Sequence, residues 1–208
     1  MPKIKICGLT RVEEADYLYE AGVDMAGFVM YYPKSKRNVY LHSVLLIKER
    51  LHALNPDIKT VAVTVSPTIE QLLAVERMKF DFIQIHGELK EEVLSRAEIP
   101  ILRAFNIDNA VETADVLKEK KIRGIVFDGK VPGGGETFDW SVIKNYDRQD
   151  KWLMLAGGLN AFNVADAIKE ANPDIVDVSS GVEYEGEFRG KDPNKIKKFV
   201  TTVRNLKI

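Results

Sequence analysis

Apolar and polar residues alternate in blocks along the chain: a short apolar run, a polar turn, then a stretch with helical period, eight times over. The apolar runs are Ile4 to Cys7, Met25 to Met30, Thr60 to Val65, Phe82 to Ile85, Ile99 to Ala104, Gly124 to Phe127, Trp152 to Leu155 and Ile175 to Val178. They are apolar on both faces, as expected of short strands buried in a parallel sheet. The segments between them place apolar residues three or four apart: Ala15, Leu18 and Ala21 in the first, Val44, Leu45, Ile47 and Leu51 in the second. Local punctuation agrees with helices there. Thr10-Arg11-Val12-Glu13 reads as a capping box, Gly22 as a stop, Ser66-Pro67 as a cap and first position, and Asn160 as a further cap. A weak helix is expected over about 90–96, a further helix over 109–120, and a last one from Asp192-Pro193 to about Arg204.

Eight strand–helix units in 208 residues predict α/β architecture: a single (β/α)8 TIM barrel with a parallel eight-stranded sheet, one domain over residues 1–208. An open doubly wound sheet rarely needs eight evenly spaced strands. No linker, low-complexity tract or change in composition marks a second domain.

Composition then narrows the function classes. Hydrophobic residues make up 45% and charged residues 29%, enough for a large core. Thirty basic residues face 31 acidic ones, so there is no basic footprint for nucleic acid or an anionic membrane. No apolar run approaches the roughly 18 residues that would span a bilayer. Met1 to Gly8 is too short and too charged for a signal peptide, and one cysteine cannot form an internal disulfide, so a reducing cytoplasm is expected. The three histidines have no metal-ligand spacing, and no metal is expected.

In a barrel of this kind the loops after the strands share one face, and the chemistry sits there. Cys7, Arg37, Gln84, His86, Arg103, Asp128, Gly157, Gly158, Ser180 and Gly181 all fall at predicted strand ends. Ala156-Gly157-Gly158-Leu159-Asn160 and Ser179-Ser180-Gly181-Val182-Glu183 follow the last two strands. Glycines there let backbone amides approach an anion, so these loops are a candidate phosphate site. Arg37 can grip a carboxylate with two parallel hydrogen bonds. Asp128 leaves an apolar strand as a candidate general acid or base. His86 fits a hydrogen-bonded structural role better than a catalytic one. Cys7 is either a small buried hydrophobe or a reactive thiol at the rim. Two tempting strings fail: Gly186 to Asp192 lacks the spacing of a phosphate loop, and Gly133-Gly134-Gly135 lacks that of a dinucleotide fingerprint.

Several strings together resemble one family, phosphoribosylanthranilate isomerase of tryptophan biosynthesis. They are Lys5-Ile6-Cys7-Gly8, Gly27-Phe28-Val29, Pro33-Lys34-Ser35-Lys36-Arg37, Gln84-Ile85-His86-Gly87, Thr137-Phe138-Asp139-Trp140, Ala156-Gly157-Gly158-Leu159 and Asp177 to Glu183. The resemblance covers essentially the whole chain and implies a (β/α)8 barrel. It implies a cofactor-free Amadori rearrangement of a small phosphoribosyl substrate, by a monomer or homodimer. Asp128 would be the general acid and Cys7 the general base. Arg37 would hold the substrate carboxylate; Gly157, Gly158, Ser180 and Gly181 would hold the phosphate; Gln84, His86 and Arg103 would border the pocket. The chain departs from the family pattern at Ala62, at Thr64, in an extra tyrosine (Tyr31 or Tyr32) and at Pro132. Two other readings stay open: another phosphosugar aldose–ketose isomerase, and a non-catalytic barrel that binds a phosphate ligand. Against the first, such isomerases typically use two aspartates. Against the second, a binding barrel has no need of both Cys7 and Asp128.

Overall fold

The computed structural model describes residues 1–106, 117–129, 137–144, 146–186 and 190–206. Most of the helix expected over 109–120, together with Pro132 and the triple glycine at 133–135, lies outside the described residues. The strands are β1 Lys3–Cys7, β2 Met25–Val29, β3 Lys59–Val65, β4 Phe82–His86, β5 Ile101–Asn106, β6 Ile122–Asp128, β7 Trp152–Leu155 and β8 Ile175–Val178. They pair in parallel in sequence order, and β1 closes on β8 with Lys5 beside Asp177 and Ile6 beside Val178. This is a closed (β/α)8 TIM barrel.

The described helices are α1 Glu14–Ala21, α2 Leu41–Leu54, α3 Ile69–Arg77, α4 Glu91–Arg96, α5 Val164–Ala171 and α6 Pro193–Arg204. Short 3-10 turns occupy Trp140–Ile143 and Ser180–Val182. Strand residues that point outward pack against the helices, with Ile4, Ile6, Phe28, Ile83, Ile125 and Phe127 all buried. Residues that point inward form a second cluster, with Met25, Val61, Leu102, Val126 and Met154 filling the barrel below its rim. Burial on both faces explains why the strands read as continuous apolar runs.

Helix starts differ from the sequence reading at three places. Thr10 and Glu13 make no capping box: Glu13 offers no side-chain cap, and the carboxylate of buried Glu14 accepts from the amides of Thr10 and Arg11 at 2.7 and 3.2 Å. The same side chain accepts from Lys191 N at 2.7 Å, so it ties the first loop to the last. Ser66, with φ 45°, turns the chain, and Thr68 with Gln71 forms the capping box of α3. Asn160 accepts from Phe162 N within its loop, and α5 begins only at Val164. In α2, Val44, Ile47 and Leu51 are buried, whereas Leu45 is 52% exposed because it stands off that stripe. β5 starts two residues later than expected, since Pro100 and its neighbours form the approach to the strand.

Candidate active site

The carboxyl ends of the strands surround a cavity of ≈ 330 Å³. Cys7 from β1, Gln84 and His86 from β4, Asp128 from β6 and Asp177 from β8 all line it, as do Arg37, Gly157, Gly158 and Ser180 from the loops. Residues separated by most of the chain therefore share one space. Arg103 and Gly181 stand behind it: the Arg103 guanidinium donates to the carbonyls of Ile85 and Gly87, bracing the β4 end.

Cys7 is the last residue of β1 and only 8% exposed. Its β2 neighbour is Gly27, where a Cβ would stand 3.0 Å from Cys7 Sγ and 3.1 Å from Lys5 Cε. The missing side chain is what makes room for both groups. Burial pushes the Cys7 thiol up, against Lys5, which pulls it down; Asp177 adds to the rise and Lys191 opposes it. The cations acting on the sulfur are Lys5 and Lys191, and burial outweighs them.

Gly8 takes φ 83°, and a Cβ there would fall 2.7 Å from Arg37 Cδ. The glycine thus lets the Arg37 stem cross the mouth of β1. Arg37 is 8% exposed, and its Nε and Nη2 donate to the two oxygens of Glu183 at 2.5 and 3.2 Å. Lys191 Nζ reaches the same carboxylate at 3.0 Å, and Lys36 Nζ lies 3.3 Å from it. Burial alone would raise Glu183, but the Arg37 hydrogen bonds and Lys191 bring it down to about 2. Glu183 and Lys191 were not singled out by sequence because surface loops are full of such residues.

Asp128 ends β6 and is 7% exposed, with Oδ1 accepting from Gly129 N at 2.8 Å. Gly157 packs directly on this turn: at φ 84°, its Cβ would sit 2.4 Å from Gly129 N and 3.1 Å from Asp128 Oδ1. Gly181 does the same between the last two loops, where a Cβ would lie 2.0 Å from the Leu159 carbonyl oxygen. The two glycine loops are therefore stacked on one another and on Asp128. Among the described residues, the amides of Gly157, Gly158, Ser180 and Gly181 donate to no protein acceptor.

Gln84 Nε2 and His86 Nε2 are 2.8 Å apart. Burial, then the charges of Lys5 and Arg103, lower His86 to about 4, so the imidazole is neutral at pH 7. Among the described residues, Gln84 Oε1 and Asp177 Oδ1 are buried without a hydrogen-bond partner although both line the cavity. Lys5 and Asp177 were quoted by sequence only within longer strings. Their signal was a charge at an inward position of an otherwise apolar strand.

A family model described as N-(5'phosphoribosyl)anthranilate (PRA) isomerase matches residues 4–202. The chain belongs to that family. A phosphoribosylanthranilate isomerase from Streptococcus mutans is 37% identical over 206 residues, covering 98% of this chain and 100% of that one. One from Thermoanaerobacter sp. is 37% identical and covers both chains completely, 100% of each. Among solved phosphoribosylanthranilate isomerases, that of Thermotoga maritima superposes with a TM-score of 0.85 at 35% identity, covering 99% of this chain and 100% of that one. Another structure of this kind, in complex with reduced 1-(o-carboxyphenylamino)-1-deoxyribulose 5-phosphate, superposes with a TM-score of 0.82 at 35% identity and the same coverage.

Proposed function

We infer that this chain isomerises N-(5'-phosphoribosyl)anthranilate to 1-(2-carboxyphenylamino)-1-deoxyribulose 5-phosphate, the tryptophan-biosynthesis step of its family, in the cytoplasm. The observation that carries the residue assignment is the meeting of a thiol, a carboxyl group and two amide-lined glycine loops around one cavity.

Asp128 is the general acid. Its proton goes to the ribose ring oxygen as the bond from that oxygen to C1 breaks, and the nitrogen lone pair forms the C1=N bond of a Schiff base. Cys7 as thiolate then takes the proton from C2. The C2–H electrons become a C1=C2 bond, the iminium nitrogen is neutralised, and the enolamine tautomerises to the ketone. The bound iminium makes C2–H far more acidic than in a neutral sugar, so a thiolate base suffices. The amides of Gly157, Gly158, Ser180 and Gly181, which donate to no acceptor among the described residues, suit the phosphate, as backbone donors suit anions generally.

Arg37 holds the anthranilate carboxylate with its remaining donors. A guanidinium has five N–H groups, and Glu183 occupies the edge made by Nε and one Nη2 hydrogen. The Nη1–Nη2 edge is left for a second, bidentate carboxylate. Glu183 fixes the fork, and the substrate meets it already oriented.

The test follows loss of phosphoribosylanthranilate fluorescence. Wild type is expected to turn over, and Asp128→Asn to lose roughly 10²- to 10⁴-fold in kcat while staying folded. Arg37→Lys keeps a charge for Glu183 but loses the fork. Its KM should rise about tenfold or more with kcat little changed, the scale of a charged hydrogen bond. A folded wild type that binds a phosphate ligand without turnover would favour a binding barrel instead.

A further inference from the structure

Met25, Val61, Leu102, Val126 and Met154 form an apolar cluster inside the barrel below the rim, and among the described residues Lys5 and Asp177 form a buried ion pair beside it. Lys5 is fully buried, and its Nζ lies 2.7 Å from Asp177 Oδ2. A pair of this kind contributes little stability over well-packed apolar residues, because desolvation offsets the attraction. Packing alone would be served as well by a methionine at position 5.

Geometry gives the ion pair another use. Residues 5 and 7 are two apart on β1, so both side chains point into the barrel. Lys5 Cε and Cys7 Sγ converge on the spot left empty by Gly27, at 3.1 and 3.0 Å from where its Cβ would be. The ammonium donates to Asp177 Oδ2 at 2.7 Å, and its charge favours the Cys7 thiolate. We propose that Lys5 is the positioning residue for Cys7, its buried ammonium serving as counter-ion to the thiolate and held under the sulfur by Asp177. This deepens the functional reading above and rests on it for the thiolate's role.

Other charged groups act on the same sulfur. Asp177 on β8 opposes the thiolate, Lys191 ahead of α6 favours it, and β2 contributes only Gly27. Arg37, His86 and Asp128 line the rest of the cavity. The proposal therefore predicts shifts of opposite sign from the two members of the pair. Lys5→Met removes the counter-ion and raises the thiol. Asp177→Asn keeps an oxygen for Lys5 to donate to, removes the negative charge, and lowers it.

Cys7 is the only cysteine, so its titration is read directly from the pH dependence of iodoacetamide alkylation, followed by mass spectrometry. The expected midpoint moves up by about 1 to 3 pH units in Lys5→Met, the scale of one neighbouring opposite charge. In Asp177→Asn it moves down by less. The ascending limb of kcat/KM moves in step with each. A wild-type midpoint in folded Lys5→Met overturns the proposal and leaves Lys5 as packing. Should Lys5→Met not fold, the double variant Lys5→Met/Asp177→Asn, which buries no unpaired charge, decides by the same readout. A midpoint above wild type supports the proposal, and one at or below it refutes it. Wild type without turnover on phosphoribosylanthranilate would remove the functional reading while leaving the thiol titration readable.

Discussion

Cys7 and His86 border the same cavity, and burial favours the neutral form of each. For the thiol this works against a base, since its reactive form is the anion. For the imidazole it removes a charge that would otherwise compete with Lys5. His86 is therefore a neutral hydrogen-bonding group, which matches the structural role read from its sequence setting. Its nuclear magnetic resonance titration should show a midpoint near 4, down from the ordinary 6.5. The sign for stability follows: the unfolded chain takes the proton first, so stability declines as pH falls from about 6.5 towards 4. A midpoint near the ordinary value would place His86 in water. Gly157 offers a steric test at the same scale. Gly157→Ala puts a methyl 2.4 Å from Gly129 N at a left-handed φ. Denaturant unfolding should show a loss of about 1–3 kcal/mol, the usual range for overpacking, and turnover should fall as the Asp128 turn is displaced. Of the residues at the rim, sequence picked out those at strand ends. It passed over Lys5 and Asp177, because a lysine in a strand is usually an exposed one and only three-dimensional pairing shows otherwise.

Among the elements, strands were more legible than helix starts. A strand buried on both faces announces itself by an unbroken apolar run, whereas a cap is a contest between nearby polar side chains. At α1 that contest is won by Glu14, which also bonds Lys191 across 177 positions, a partner no local pattern can reveal. The consequence is measurable. Thr68→Ala should cost about 1 kcal/mol as a lost capping box, and Thr10→Ala less than about 0.5 kcal/mol, with both read from denaturant midpoints. The reverse order would restore the Thr10 cap. The β8 loop carries a second long-range tie, Glu183 with Arg37, Lys36 and Lys191. Glu183 sits at about 2 against an ordinary 4.5, so its contribution is complete above about 4.5 and is lost as pH falls through 2. Acid unfolding of Glu183→Gln should therefore be flatter than wild type between those values. Parallel curves would mean that the cluster adds no pH-dependent stability.

On the scale of the whole molecule, eight parallel strands in sequence order bring positions 7, 37, 128, 157 and 180 to one cavity. The repeat that fixes this architecture was visible in the hydrophobic pattern, and so was the rim on which chemistry would sit. What the pattern could not carry was the wiring beneath the rim: which cation lies under the sulfur, which carboxylate orients the arginine, and which glycines exist so that other groups can pass. The family strings pointed to Cys7 and Asp128 as the proposed acid–base pair, and the geometry supplies the neighbours that act on them. The central claim is that Cys7 is the base. The pH dependence of kcat/KM for phosphoribosylanthranilate, measured on wild type and Cys7→Ser, tests it most directly. A hydroxyl does not ionise in the range where a thiol does, so the account predicts that the ascending limb disappears in Cys7→Ser and that turnover falls by roughly 10² or more. An ascending limb that persists unchanged in that variant would contradict it and return Cys7 to the core.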